Sequence, residues 1–258
     1  MLSIIISTYN HPAALALILR ALDNQDLQDK FEVIIADDGS TKETRALIKQ
    51  LTNELPYPVQ HVWHEDLGFR AAAIRNKAAS MAQGKYLIFL DGDCVPRTSF
   101  LRYHKKLAES GYFVAGNRIL LSKQFTEKVL NEQLPIWNWR FGSWFMARLQ
   151  GYCNRLITLI YCPLGWMRKL TPKSWKRAKS CNLGIWCNDF VRVNGFNEQF
   201  SGWGYEDSDL VVRLIKRGVF LKDGRLATPV LHLWHEQYDR SNAAQNYARL
   251  AKSLKESV

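Results

Sequence analysis

The chain has 258 residues, 47% hydrophobic and 23% charged, which excludes a disordered protein and predicts a folded core. No apolar run reaches the roughly 18 residues that a membrane span needs. The five cysteines have no paired spacing, which argues against a zinc site and favours reduced thiols in the cytoplasm. The opening residues lack a basic segment and a cleavage site, so we expect a first strand rather than a signal peptide.

The first 116 residues alternate strand-like and helix-like patterns. Apolar, β-branched runs predict strands at 2–7, 31–36, 59–63 and 85–90, and the intervening runs predict helices at 13–22, 42–51, 71–81 and 96–110. This alternation predicts an α/β fold, with a mainly parallel central sheet flanked by helices and ligands bound beyond the carboxyl ends of the strands. No Gly-x-Gly-x-x-Gly follows the first strand, so a dinucleotide fingerprint is absent.

Polar clusters follow three of these strands, at 7–10, 37–40 and 91–93. Because the ends of parallel strands share one edge, we expect the three clusters to meet in one crevice. In the third cluster, Asp91 and Asp93 would repel each other unless a cation lay between them. Mn²⁺ and Mg²⁺ take such carboxylates together with substrate phosphates, so this strand end is a candidate metal–diphosphate site.

The basic charge is concentrated in the second half. The formal net charge is +11, and residues 140–179 contain many Lys and Arg but no Asp or Glu, with five Trp in or beside them. This mixture is typical of a membrane interface. We therefore predict peripheral contact with anionic membrane, at its inner face, and no nucleic-acid partner. The alternative is a Trp-rich core with a solvated basic face.

A second acidic cluster occurs at 202–210, where Gly-Trp-Gly precedes three acids and a helix predicted to reach residue 217. Glycines let the backbone approach a ligand closely, and a Trp ring offers an apolar face for a sugar. Acids suit the first turn of a helix, and we expect Asp209 to be the capping member. A late strand at 226–234 leads to His235, and a terminal helix is expected at 241–254.

Together these motifs resemble the inverting glycosyltransferases of family 2, which have the GT-A fold. The resemblance rests on residues 3–10, on 37–40, on Asp91-Gly92-Asp93, and on 202–210, which are similar to the Trp-Gly-x-Glu-Asp motif of galactosyltransferase-type carboxyl halves. It implies a Rossmann-like nucleotide-sugar-binding half at 1–116 and an acceptor-binding, catalytic half at 117–258. The basic, Trp-rich insertion at about 125–180 matches no motif of the family and is expected to bind acceptor or membrane.

The resemblance also implies roles on the donor side. Tyr9 would stack on the nucleotide base, and Asp38, or alternatively Asp37, would accept from a base N–H. Asp93 would bind Mn²⁺ or Mg²⁺ at the diphosphate, with Asp91 nearer the ribose and the metal-bound waters. The remaining residues expected to contact the nucleotide sugar are Thr8, Asn10, Arg70, Arg75 and Gly92.

On the acceptor side, inversion by direct displacement needs a carboxylate that takes the proton of the acceptor hydroxyl. The resemblance implies Asp207 as this base and Glu206 as the group that holds the acceptor, beside Trp203 and Gly204. The choice among Glu206, Asp207 and Asp209 stays open. His235 is expected as a third metal ligand, with His232 on the opposite side of its strand.

The expected function is transfer of a sugar from a nucleotide-diphospho donor, UDP-linked by preference, to a hydroxyl of a growing glycan. Lipopolysaccharide, capsule and lipid-linked glycans are the acceptor classes considered. One alternative is a sugar nucleotidyltransferase, which needs a basic, Gly-rich loop after its first strand that residues 9–13 do not provide. The other is a non-catalytic carbohydrate- or lipid-binding module, which would need neither acidic cluster.

Overall fold

The computed structural model describes residues 1–236 and 239–255. The strands in chain order are β1 (Leu2–Thr8), β2 (Phe31–Asp37), β3 (Val59–Trp63), β4 (Tyr86–Asp91), β5 (Cys94–Pro96), β6 (Tyr112–Ala115), β7 (Asn117–Leu120), β8 (Asn182–Trp186), β9 (Phe220–Asp223) and β10 (Pro229–His232). Seven form a central sheet in the order β3-β2-β1-β4-β8-β6-β9, and three form a small sheet in the order β5-β10-β7. Only β8 is antiparallel to its neighbours in the central sheet, so the prediction of a mainly parallel sheet is confirmed.

Helices cover both faces of the central sheet. They are α1 (Pro12–Asp23), α2 (Lys42–Thr52), α3 (Ala71–Ser80), α4 (Phe100–Leu107), α5 (Lys123–Asn131), α6 (Phe141–Leu149), α7 (Cys187–Arg192), α8 (Glu206–Lys216) and α9 (Ala243–Lys255). Side chains alternate across a strand, and Ile4 and Ile6 pack with α1 while Ile5 packs with α3 and α8. Both faces are therefore buried, which explains the continuous apolar runs of the strands.

Two predicted elements differ from the observed ones. The helix expected at 96–110 begins only at Phe100, because Pro96 belongs to β5 and pairs with Val230 of β10. The late strand expected at 226–234 is reduced to Pro229–His232, because residues 224–228 form a turn closed by hydrogen bonds from the amides of Ala227 and Thr228 to Gly224. Both differences come from the small sheet, which joins segments more than 100 residues apart.

No helix in residues 1–236 or 239–255 combines the length and the apolar character needed to cross a membrane.

Candidate active site

The ends of β1, β2 and β4 meet at one edge of the central sheet, as predicted. In the parallel register Thr8 lies beside Asp37, and Ser7 lies beside Asp91. The Gly92 amide donates to the Ser7 carbonyl over 2.7 Å, and a Cβ at Gly92 would lie only 2.7 Å from that oxygen. A glycine is therefore required between the two aspartates, because any side chain would push β4 away from β1.

Asp38 is the acid of the second cluster that faces the crevice. Its carboxylate bonds the His64 ring over 2.6 Å and accepts from the Arg70 amide over 2.9 Å. Burial raises the pKa of Asp38, although the bonds from Arg70 and His64 oppose this. Tyr9 is 47% exposed, and its hydroxyl donates to Asp66 over 2.9 Å. The predicted stacking residue is therefore accessible and lies near the predicted base acceptor.

Asp37 and Asn10 shape the loops beneath this pocket. Asp37 is fully buried, and its carboxylate accepts from the Ser40 amide and bonds His61. Burial favours its neutral form, yet the bonds from His61 and Ser40 lower its pKa. Asn10 has a φ of 47° and accepts from the Thr41 amide. Of the two adjacent acids, Asp37 is committed to the β2 turn, and Asp38 is the one left beside the crevice.

Thr8 and Arg70 contribute backbone groups to the same pocket. The Thr8 carbonyl accepts from the Asp38 amide over 3.0 Å. Its hydroxyl is buried without a hydrogen-bond partner in the described part of the chain. Arg70 meets Asp38 through its amide, whereas its guanidinium donates to the Glu65 carbonyl. Both residues therefore hold Asp38 in position.

Asp93 lies among histidines. The Nε2 atoms of His235 and His232 lie 3.1 and 3.6 Å from its carboxylate. The expectation that His232 faces away from His235 is wrong, because β10 ends at His232 and the chain then turns, bringing both rings to Asp93. Burial opposes ionisation of Asp93, but the His235 hydrogen bond and the charge of His232 lower its pKa to about 2.

These groups fit a divalent cation of the manganese type. The candidate ligand atoms of Asp93, Cys94 and His232 all lie within 4.8 Å of one another. Burial raises the pKa of the Cys94 thiol well above its usual value, so Cys94 donates to Asp93 and does not supply a thiolate. A carboxylate with imidazole nitrogens suits Mn²⁺ better than Mg²⁺, which prefers oxygen ligands alone.

Arg75 joins the two acidic clusters. Its guanidinium lies 2.8 Å from Asp91 and 3.2 Å from Glu206, and it also donates to Ser7. Arg75 is only 5% exposed, and despite burial the charges of Asp91 and Glu206 raise its pKa. It is therefore a buried guanidinium that is paired with carboxylates of both acidic clusters.

A tight loop presents the acids at the start of α8. Gly204 and Tyr205 both have positive φ, 108° and 72°, a conformation that a residue with a side chain adopts only under constraint. Glu206 and Asp207 follow, each 8% exposed. Burial and the charge of Asp207 raise the pKa of Glu206, although the positive charge of Arg75 opposes this shift. Asp207 accepts from the Ser180 amide and lies 3.7 Å from the Lys179 ammonium.

Asp209 does not cap the helix. It is fully buried, and its carboxylate binds Arg213 over 2.8 Å and accepts from Ser253 of α9 over 2.5 Å. It therefore fastens α9 to α8. Trp203, predicted to stack on a sugar, has one ring face covered by the Arg240 guanidinium at 4.6 Å.

Sequence reasoning missed three residues of this region, His64, Asp66 and Lys179, and it placed a fourth, His232, on the wrong side of its strand. His64 and Asp66 follow β3 in the run His64-Glu65-Asp66, which is not among the motifs that carry the resemblance. Lys179 is one of many cations in its segment. No local signal distinguishes these residues, because their position depends on strands that pair over long separations.

Two family profiles cover most of the chain. Residues 3–170 match the profile described as glycosyl transferase family 2, and residues 167–236 match the one described as the N-terminal domain of galactosyltransferase. Validoxylamine A glucosyltransferase of Streptomyces hygroscopicus subsp. jinggangensis is 31% identical over 236 residues, which are 85% of this chain and 52% of that protein. Hyaluronan synthase of Pasteurella multocida is 28% identical, over 88% of this chain and 24% of the synthase. The chain thus spans about half, or less, of these relatives.

Solved structures show the same fold at low identity. The mannosyltransferase PcManGT from Pyrobaculum calidifontis, in complex with GDP-Man and Mn²⁺, superposes with a TM-score of 0.66 at 16% identity, covering 100% of this chain and 65% of its own. S. aureus TarS 1–349 in complex with UDP-GlcNAc superposes with a TM-score of 0.62 at 14% sequence identity. The match covers 99% of this chain and 67% of the TarS chain. The fold and the profiles define a glycosyltransferase with the GT-A fold. The chain belongs to glycosyltransferase family 2, with a galactosyltransferase-type carboxyl half.

Proposed function

We propose that the chain transfers a sugar, with inversion and with a metal ion, from a UDP-sugar to a hydroxyl of a growing glycan. The observation that carries this proposal is the Arg75 bridge, which joins Asp91 at 2.8 Å to Glu206 at 3.2 Å. A single guanidinium spans the two acidic clusters, so a donor at one and an acceptor at the other would meet.

On the donor side, Tyr9 stacks on the base and Asp38 accepts its N–H. Asp93 and His235 hold the cation, and Asp91 contributes the carboxylate oxygen that Arg75 leaves free. The protein in complex with UDP-GlcNAc and the one in complex with GDP-Man and Mn²⁺ support a nucleotide sugar and a metal for this chain. The histidines beside Asp93 favour Mn²⁺ over Mg²⁺. Bound there, the cation would neutralise charge on the departing diphosphate.

On the acceptor side, Asp207 takes the proton of the attacking hydroxyl. The acceptor oxygen forms a bond to the anomeric carbon as the bond from that carbon to the diphosphate oxygen breaks. The bonding electrons leave with UDP, and the proton stays on Asp207. Glu206, held by Arg75, orients the acceptor, and Trp203 and Gly204 line its path. We assign residues 1–116 mainly to the donor, and 117–258 mainly to the acceptor and base, with His235 of this second half joining the donor's metal site.

The test is a panel of UDP- and GDP-sugars incubated with the protein, with Mn²⁺, with Mg²⁺ and with a chelator. We expect one UDP-sugar to release UDP, faster with Mn²⁺ than with Mg²⁺, and not at all with the chelator. Release of pyrophosphate from UTP and a sugar 1-phosphate would instead identify a nucleotidyltransferase. Binding of glycan without nucleotide turnover would identify a carbohydrate-binding module.

We further propose that the acceptor is lipid-linked and that the protein docks on anionic lipid at the inner face of the membrane. Helix α6 is apolar on two sides. Trp144 is buried in the core, whereas Phe141, Phe145 and Leu149, spaced four residues apart, are each about half exposed or more. A helix that is apolar all round is normally covered. The alternative of a Trp-rich core describes only its inner side.

The charge around this exposed stripe supports an anionic membrane as its proposed occupant. Arg140 and Arg148 flank it, and no acid lies between residues 140 and 179. In the same segment Trp166 is 72% exposed. Exposed aromatic and aliphatic side chains bordered by cations favour the interface of an anionic bilayer over a protein partner of mixed charge.

We expect the full chain to co-sediment with phosphatidylglycerol vesicles and only weakly with phosphatidylcholine vesicles. Replacing Phe145 and Leu149 together by Glu removes two exposed apolar groups and adds two negative charges, so vesicle affinity should fall about 100-fold. Val191→Glu, at an exposed apolar residue of α7, is the matched control. Equal losses in the two variants would refute this docking face.

A further inference from the structure

Arg118 is a cation of the site region with no role so far. It lies on β7, which pairs with β10 so that Arg118 is beside Val230 and Leu120 is beside His232. Alternate residues of a strand share one side of the sheet. The side chain of Arg118 is therefore on the same side of the small sheet as His232, whose ring lies 3.6 Å from Asp93.

The charges of the region agree with this geometry. The pKa of Arg118 is raised. Cys181 is the largest cause, burial opposes the shift, and Cys94, Asp91 and Asp93 add to it. The guanidinium therefore acts on the same centre as the two aspartates.

Arg118 differs from Arg75 in having no partner. Within residues 1–236 and 239–255, its half-buried guanidinium makes no hydrogen bond and no ion pair with another side chain. Arg75 is engaged by Asp91, Glu206 and Ser7. An arginine has five N–H donors in a fork that matches phosphate oxygens. Among the residues that the structure describes, Arg118 is thus a cation near the aspartate pair whose guanidinium donors make no hydrogen bond to a protein group.

We propose that Arg118 binds the diphosphate of the nucleotide donor, donating to its non-bridging oxygens. The inference rests on the proposed function, because it takes Asp91 and Asp93 as the diphosphate site. A diphosphate is favoured over an acidic sugar because Arg118 lies on the side of the small sheet that carries His232, whose ring lies 3.6 Å from Asp93. Since the leaving group gains negative charge as the sugar departs, Arg118 also stabilises the transition state.

Binding of UDP, UMP and uridine to Arg118→Gln, with Mn²⁺ and with a chelator, tests the proposal without requiring turnover. Loss of one charged hydrogen-bonding group should weaken UDP binding about 10- to 100-fold. Binding of UMP should weaken less, and binding of uridine and of Mn²⁺ alone should not change. Arg118→Lys keeps the charge but loses the fork, so its UDP affinity should fall between those of the wild type and Arg118→Gln.

Arg102→Gln is the matched control, because Arg102 is half exposed and pairs with Asp26 at the surface. If Arg118→Gln weakened the binding of UDP, UMP and uridine equally, Arg118 would support the base pocket instead of the diphosphate, and the proposal would be overturned. Unchanged UDP affinity with a raised KM for acceptor would overturn it in favour of an acceptor contact. If the wild type bound no nucleotide at all, the proposed function itself would fail.

Discussion

Asp207→Asn should lower kcat about 1000-fold while leaving UDP affinity within about twofold of the wild type, because the variant loses the proton acceptor and keeps the donor site. Asparagine has nearly the same shape. Its carbonyl oxygen can still accept from the Ser180 amide, and its NH₂ group then takes the position of the oxygen that now accepts from Ser208, where it can donate to that hydroxyl. The fold should therefore be retained. Rates of UDP release with acceptor present, and calorimetric binding of UDP, measure the two quantities.

Two further variants separate the neighbouring acids. Glu206→Gln should raise KM for the acceptor more than it lowers kcat, since Glu206 is paired with Arg75 and its proposed role is to orient the acceptor. Asp189→Asn, on α7 outside the crevice, is the control and should leave both constants unchanged. If kcat were normal in Asp207→Asn but strongly reduced in Glu206→Gln, the catalytic base would be Glu206 instead of Asp207.

Asp93→Asn should abolish stimulation by Mn²⁺ and reduce donor turnover about 1000-fold, because the metal supplies several kcal/mol of charge stabilisation to the departing diphosphate. With a pKa of about 2, Asp93 is ionised at every pH at which the protein would be assayed. The variant therefore removes a full negative charge. Mn²⁺ affinity, measured by calorimetry without nucleotide, should fall about 100-fold.

The two histidines provide an internal comparison for this result. His235 lies 3.1 Å and His232 3.6 Å from the Asp93 carboxylate. We expect His235→Gln to lose more Mn²⁺ affinity than His232→Gln. The control variant Asp26→Asn, at the surface, should keep the Mn²⁺ affinity of the wild type. Unchanged Mn²⁺ affinity in Asp93→Asn would refute the metal assignment. A larger loss of Mn²⁺ affinity in His232→Gln than in His235→Gln would make His232 the stronger metal ligand.

Local patterns predicted the strands, the main helices and the shared edge of β1, β2 and β4, because burial on both faces leaves a clear apolar run that ends in polar residues. They could not distinguish Asp37 from Asp38. Adjacent residues of a strand end point in opposite directions, and the direction depends on the β2 turn. The same limit applies to Asp209, whose partner Ser253 lies 44 residues away.

The small sheet accounts for the other misses. β5, β7 and β10 are each three or four residues long, too short for a recognisable period. Their pairing brings together segments from both halves of the chain. His232 and Arg118 reach the acidic centre through that pairing alone. Family resemblance supplied roles for motif residues, but neither of these two lies in a motif.

On the proposed assignment, the Arg75 bridge would make the donor and acceptor sites thermodynamically interdependent. Burial and the charge of Asp207 are the main causes of the raised pKa of Glu206, but Asp91 adds to it. A cation that neutralises Asp91 therefore makes Glu206 more acidic and more firmly paired with Arg75. By reciprocity, proton loss from Glu206 strengthens cation binding at Asp91 by the same factor. Metal occupancy and the ionisation of the acceptor-holding carboxylate should thus change together, giving the donor site a means of preparing the acceptor site.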